Sequence, residues 1–348
     1  MSTPVIDVHA HAIVPEVEAV VAGQPGLAEH KSLDVLRNGA ESMKISGAMV
    51  AARIPQLTSL ERRLADMDAA GVDVQVVSPS PSQYHYWADE ALSRTVFRSA
   101  NRGIAALVAE EPERLVGLGL VPLQHPGLCV EALDDALGMG LAGVEISSHA
   151  PRFGSDGTVE LSDDALDPFW AHAAATGAVV FLHPFGCTLD ARLDRFYLAN
   201  TVGQPVENAT ALSHLIFSGV LDRHPDLKIV AAHGGGYLPT YLGRSDHAWR
   251  VRPEARRCRE LPSSYLRRLT FDSLVHGPDA LRALVNAAGS ESVVLGSDYP
   301  FDMGNEDAAG EVRAASLGAD ATESVLGGTA VRLGLAPRIS SHTNGATR

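Results

Sequence analysis

Five side chains in this sequence are spaced for chemistry. His9 and His11, in Ile6-Asp7-Val8-His9-Ala10-His11, are two residues apart, and in an extended strand that spacing sends both imidazoles to one face. Two neutral nitrogen donors on one side are half of a metal site. His183 follows Val179-Val180-Phe181-Leu182, His233 follows Ile229-Val230-Ala231-Ala232, and Asp298 follows Val293-Val294-Leu295-Gly296-Ser297. Any one of these histidines taken alone reads as a hydrogen-bonded core imidazole. Polar groups set repeatedly at the ends of buried runs are costly to desolvate without partners, and a metal ion supplies partners for all of them at once. His-x-His, His, His and Asp, in that order, point to a metal centre.

Positioning these residues requires strands that end at one common edge. Short β-branched apolar runs recur at Val5–Val8, Val72–Val77, Leu115–Val121, Ala142–Ile146, Ala178–Leu182, Leu227–Ala232, Arg268–Asp272 and Ser292–Gly296. Helical apolar spacing covers Leu60–Ala70, Leu92–Ala109, Cys129–Leu137, Ala165–Ala175, Val206–Leu221 and Asp279–Ala288. The alternation argues for parallel strands joined by right-handed crossovers, and near-continuous apolar strands suit a sheet covered on both faces. Eight such units predict an α/β fold, a (β/α)8 TIM barrel, whose active sites lie at the C-terminal ends of the strands. A doubly wound sheet would call for G-x-G-x-x-G after the first strand, and none is there. Residues 13–59 exceed an ordinary βα loop and read as a small inserted cap. Residues 1–336 read as a single barrel domain, and the polar residues 337–348 as a tail.

Composition narrows the partners. The 348 residues carry 28 Lys and Arg against 42 Asp and Glu, a formal charge of -14, which argues against nucleic acid. No apolar run approaches the roughly 20 residues of a membrane span, and the start MSTPVIDVHAH has neither a basic leader nor an apolar core, so no membrane partner is expected. Cys129, Cys187 and Cys258 are widely spaced without a CxxC, which points to a reducing, cytoplasmic setting.

The IDVHAH run, Met67-Asp68-Ala69-Ala70-Gly71-Val72-Asp73, Val121-Pro122-Leu123-Gln124, His233-Gly234-Gly235-Gly236 and Leu295-Gly296-Ser297-Asp298-Tyr299-Pro300-Phe301 span nearly the whole chain. With them the sequence resembles the amidohydrolase superfamily, and within it the metal-dependent decarboxylases, the group of the 2-amino-3-carboxymuconate 6-semialdehyde decarboxylases. The resemblance implies zinc ligands His9, His11, His183 and Asp298, with one ion per subunit and a water completing its sphere, and His233 as the acid/base; Asp298 is a second catalytic candidate, for proton transfer. Binuclear members of the superfamily bridge two metals with a carbamylated fourth-strand lysine. Here that strand reads Gly143-Val144-Glu145-Ile146-Ser147, which predicts a mononuclear site and leaves Glu145 as a group that could bridge. Three histidines and a carboxylate suit Zn²⁺, which lowers the pKa of bound water to about 7. Mn²⁺ or Fe²⁺ fits the same donors.

The resemblance also implies that Arg53 in the cap and Arg244 in Tyr241-Leu242-Gly243-Arg244-Ser245-Asp246 bind substrate carboxylates. Arg244 would reach a neighbouring subunit's site, hence a homodimer. Where the group has a pocket tryptophan, this chain reads Arg195-Phe196-Tyr197-Leu198, so Phe196 and Tyr197, with Trp87, become candidate walls for a flat conjugated acid. The expected function is zinc-dependent, non-oxidative decarboxylation of an unsaturated or aromatic carboxylic acid, such as a carboxymuconate semialdehyde or a hydroxybenzoate. The rival with the same ligands is a metal-dependent hydrolase or hydratase acting on an ester, lactone, amide or double bond. A catalytically idle barrel would be expected to have lost a ligand, and every ligand position is filled. Of the remaining histidines, His85, His149 and His276 follow strands and could face the pocket, while His214, His224 and His247 read as surface or packing residues. Cys187 reads as loop packing.

Overall fold

The computed structural model describes residues 3–185, 189 and 192–337, so Cys187 and the tail from residue 338 lie outside the described residues. Its strands are β1 (Ile6–Ala12), β2 (Val74–Pro79), β3 (Leu115–Leu120), β4 (Gly143–Ile146), β5 (His149–Pro151), β6 (Thr158–Glu160), β7 (Val179–Leu182), β8 (Lys228–Ala231), β9 (Thr270–Asp272) and β10 (Val293–Val294). Eight of them form one sheet in the order β1-β2-β3-β4-β7-β8-β9-β10, each pair parallel. Backbone bonds then close the ring: Val8 N–H donates to the Leu295 carbonyl at 2.9 Å and Asp298 N–H to the His9 carbonyl at 2.8 Å. The fold is the (β/α)8 barrel that the alternating runs predict. The β5–β6 pair is an antiparallel hairpin outside that sheet, which nothing in the apolar pattern announces.

Helices alternate with the strands along the chain. They include α1 (Pro15–Val21), α2 (Pro25–Asn38), α3 (Ala40–Thr58), α4 (Leu60–Ala70), α5 (Glu90–Glu110), α6 (Cys129–Gly138), α7 (Asp167–Thr176), α8 (Gln204–Phe217), α9 (Val220–Arg223), α10 (Leu238–Val251) and α11 (Pro278–Ala288). The Ser59 hydroxyl accepts from Arg62 N–H at the start of α4, and Asp89 accepts from Leu92 N–H at the start of α5. The single helix expected over Val206–Leu221 is broken, because Gly219 turns left-handed (φ 76°) between α8 and α9.

The insertion after β1 is helical and divides in two. Val17 and Val21 of α1 are buried in the core between barrel and helices, so α1 is part of the outer wall. Helix α2 buries no residue, and with α3 it forms the cap proper. Gly39, at φ 81° between α2 and α3, is where the cap meets the segment after β7. A Cβ there would stand 1.8 Å from the Asp194 carbonyl, so only glycine permits the contact.

Inside the barrel, Ile6, Val8, Val74, Val76, Val116, Leu118, Val179, Phe181, Val230 and Val294 pack together, with Leu335 beside them. Alternate strand residues, among them Val77, Leu120, Val180 and Ile229, join the outer cluster with the helices. That two-sided burial is why the strands read as continuous apolar runs. No helix among the described residues is long and apolar enough to cross a membrane.

Candidate metal centre

A one-residue irregularity in β1 aims the histidine pair. Pairing with β2 runs Ile6 to Val74 and Asp7 to Gln75, then shifts by one to Ala10 with Val77 and His11 with Ser78. Ile6 and Val8 belong to the barrel interior and Ala12 to the outer cluster. Strict alternation from Ile6 would turn His9 and His11 outward towards the helices. The bulge reverses the phase, and both imidazoles enter the mouth of the barrel.

There they meet the other strand ends. The His183 ring lies 5.0 Å from His9 and 4.9 Å from His11. His9, His11, His183 and Asp298 each present one ligand atom, and all four atoms lie within 4.8 Å of one another, every residue buried. His9 Nε2 and His11 Nε2 are 3.2 Å apart, and Asp298 Oδ1 stands 3.3 Å from the first and 3.2 Å from the second. A tetrahedron with metal bonds of about 2.0–2.1 Å has edges of about 3.3 Å, so three of these donors already form one face of such a shell. Asp298 Oδ1 and both His183 ring nitrogens are buried without a hydrogen-bond partner, an expensive condition that a cation relieves. The residues therefore fit a metal ion. Glu145 is outside this cluster: its Oε1 accepts from the Tyr84 hydroxyl, and its Oε2 is 3.8 Å from His11 Nδ1.

Electrostatics follow from burial. Burial opposes charge on His9, but the Asp298 and Asp272 carboxylates override it and raise its pKa from 6.5 to about 10. Burial likewise works against the Asp298 carboxylate. The charge on His9 and the contacts with His11 and His233 outweigh it and hold Asp298 well below the usual carboxylate range. Burial, and after it the neighbouring imidazoles, keep His183 well below the histidine range, as the neutral ring that ligation requires. Burial also raises the pKa of Glu145.

His233 sits at the edge of this cluster, its Nε2 3.7 Å from Asp298 Oδ2. Four successive residues, His233, Gly234, Gly235 and Gly236, have φ of 53°, 59°, 70° and 66°. A Cβ at Gly234 would approach Val275 Cγ1 to 2.4 Å, and one at Gly236 would approach the Pro205 carbonyl to 2.2 Å, which is why the motif is glycine-rich. His233 also lines a cavity of ≈ 440 Å³ with Gln204, Tyr237, Leu274, His276 and Met303.

The other expected site residues lie further out. Arg53 faces Glu306, 3.4 Å away, in a separate cleft beside Tyr299 and Phe301. Arg244 is exposed on α10 and makes no bond or ion pair among the described residues. Phe196 is 87 % exposed and lines neither cavity, while Tyr197 is half-buried near Ser46 of the cap. Trp87 packs against His85 and Gly26 beneath the cap, and His149 pairs with Glu207 at 3.0 Å. Sequence reasoning missed Asp272, whose Oδ2 is 2.6 Å from His9 Nδ1. Its signal was available: a carboxylate ending the seventh apolar run, as Asp298 ends the eighth.

A family profile described as Amidohydrolase matches residues 6–333. The chain belongs to the amidohydrolase family. This amidohydrolase is 32 % identical over 339 residues to the 2-amino-3-carboxymuconate-6-semialdehyde decarboxylase of Dictyostelium discoideum, covering 95 % of this chain and 92 % of the relative. The crystal structure of 5-carboxyvanillate decarboxylase from Sphingomonas paucimobilis superposes with a TM-score of 0.79 at 28 % identity, over 95 % of this chain and 99 % of that one. The dihydroxybenzoic acid decarboxylase of Polaromonas sp. JS666, solved with manganese and 2-nitroresorcinol, shares the fold at a TM-score of 0.79 and 22 % identity, over 96 % and 97 % of the two chains.

Proposed function

We propose that this amidohydrolase is a metal-dependent decarboxylase that removes CO2, without oxidation, from an unsaturated or aromatic carboxylic acid. The observation that carries the reading is the four-donor cluster of His9, His11, His183 and Asp298 with His233 just outside it. The named decarboxylases among its relatives support the same reaction class. Zn²⁺ is the ion we assign, because three imidazoles and one carboxylate, three of these donors 3.2–3.3 Å apart, suit a borderline cation that can take a water or substrate oxygen as a further ligand. Bound there, the ion supplies Lewis acidity at the floor of the mouth.

The protein's own groups then handle the proton and the substrate. His233 carries a proton at Nε2 and gives it to the substrate carbon that bears the carboxylate; Asp298 Oδ2, 3.7 Å away, balances the imidazolium. The bond to CO2 breaks with its electron pair returning to the conjugated system, so no free carbanion forms and RCOO⁻ plus H⁺ become RH plus CO2. Arg53 and Arg244 are the cations for substrate carboxylates. The pair of Arg53 with Glu306 is an exposed one, of the kind worth little, and an incoming anion displaces it. Arg244, exposed on α10 beside Tyr237 and Tyr241, acts in the site of a second copy, which makes the enzyme a homodimer. Tyr197, and Phe196 on turning inward, wall a flat substrate. The net charge of -14 and the scattered cysteines suit a cytoplasmic enzyme without nucleic-acid or membrane partners.

Conjugated acids and their methyl esters, assayed side by side with the zinc-loaded protein, test the reaction class. CO2 release from an acid with an inert ester is the expected result. Efficient ester cleavage with an inert acid would establish the hydrolase instead.

A further inference from the structure

Asp272 ends β9 at the bottom of the mouth with none of its surface exposed. Its two carboxylate oxygens face different parts of the site. Oδ2 lies 2.6 Å from His9 Nδ1, across 263 residues of sequence. Oδ1 accepts from Gly234 N–H at 2.8 Å and from Leu274 N–H at 3.2 Å. Gly234 is the residue after His233, within the left-handed turn that directs the His233 imidazole.

We propose that Asp272 is a positioning residue for two functional histidines at once, fixing the ring tautomer of His9 through one oxygen and the turn that carries His233 through the other. The proposal rests on the reading of His9 as a metal ligand through Nε2. A neutral imidazole presents a bare Nε2 only when Nδ1 carries the proton, and a carboxylate, which can only accept, holds that proton on Nδ1. The opposite ring nitrogen, Nε2, then faces His11 Nε2 and Asp298 Oδ1 as a donor to the ion. Through Oδ1 the same carboxylate gives the strained His233 turn an anchor on the neighbouring strand.

Asp272→Asn separates this role from simple hydrogen bonding, because the amide is nearly the same shape. Two N–H groups, of Gly234 and Leu274, require the amide oxygen on their side, so the NH2 faces His9 Nδ1. Nδ1 must then accept, the ring proton moves to Nε2, and the ligand atom is blocked. Asp272→Ala removes the bonds but leaves His9 free to choose its tautomer. Zinc affinity, measured by chelator competition on the full chain, is expected to fall in the order Asp, Ala, Asn. The Asn variant should lose at least about 10- to 100-fold while its chelated form still melts in one cooperative transition. A purely structural role predicts the reverse order, with Asn nearest to wild type. At saturating zinc, Asp272→Ala should show a lower kcat at unchanged KM, since the His233 turn has lost its anchor; a wild-type kcat there would overturn the His233 half. An Asn variant that binds zinc as tightly as a zinc-holding wild type overturns the His9 half and leaves the proposed function standing. If the Asn chain does not fold, wild-type zinc affinity in the Ala variant overturns it equally. A wild-type chain that binds no zinc, manganese or iron overturns both this proposal and the functional reading.

Discussion

Arg63 of α4 donates from Nη2 to the main-chain carbonyl of His11 at 2.6 Å, with only 1 % of the residue exposed. Its Nη1 donates to Gln75 Oε1 at 2.6 Å, Gln75 Nε2 donates to Asp7 Oδ2 at 3.0 Å, and Asp7 accepts from the Ser297 hydroxyl at 2.6 Å. One buried chain of hydrogen bonds therefore runs from the outer helix, behind the histidine strand, to the residue preceding Asp298. Burial lowers the pKa of Arg63 to about 10, which keeps it charged in the neutral range.

Replacing Arg63 with alanine leaves the carbonyls of His11 and Gln56 and the amide oxygen of Gln75 without this donor. Each buried acceptor left unmade costs about 1–3 kcal/mol, so a loss of about 3 kcal/mol or more is expected in urea unfolding. Arg63→Lys should recover less than half of it, since one ammonium cannot span the three acceptors. Unchanged midpoints in both variants would show that the network does not hold the strand.

Removal of single ligands should separate metal binding from proton transfer. His9→Ala, His11→Ala and His183→Ala are each expected to hold well under half an equivalent of zinc by elemental analysis, because each forfeits one of four ligands. His233→Ala should keep its metal and lose about 10²- to 10⁴-fold in turnover. Metal lost together with activity in that variant would make His233 a ligand.

The metal-free protein should weaken as pH rises. His9 has a folded-state pKa of about 10 against 6.5 unfolded, so its contribution is complete below pH 6.5 and disappears as pH climbs through about 10. Asp298 is depressed instead, and its contribution disappears in acid, as pH falls below the ordinary carboxylate range. Melting temperatures of chelated protein are therefore expected to decline between about pH 6.5 and 10. Apparent zinc affinity should rise over the same interval, since His9 must release a proton to ligate. A chelated protein whose stability is flat over that range would remove the proposed charge on His9.

Arg244→Ala protomers mixed with His233→Ala protomers should regain activity if Arg244 serves a second subunit's site, because one hybrid site then receives intact copies of both residues. A mixture no more active than its parents, with subunit exchange demonstrated by labelled chains, would place Arg244 outside the shared site.

Much of this protein can be read from short-range pattern. Apolar runs each ending in one polar residue name His183, His233 and Asp298, because a strand buried on both faces must be apolar until it emerges at the mouth. Eight apolar runs alternating with helical spacing predict a barrel, and the lysine-free fourth strand argues against a second metal. Tertiary contacts decided the rest. The direction in which His9 and His11 point depends on a bulge whose register is set by β2, some 68 positions away, and no local alternation contains it. The partner of Asp272 became legible only once the closed ring brought the ends of β9 and β1 together across β10, since His9 lies 263 residues distant. Arg63 reads in sequence as one more charge on an amphipathic helix, and only the packing of α4 over β1 and β2 turns it inward. Arg53 and Phe196 show the converse. Their residue types suit a binding site, but the reach of a long or exposed side chain is set by what surrounds it, here Glu306 for the arginine and solvent for the phenylalanine.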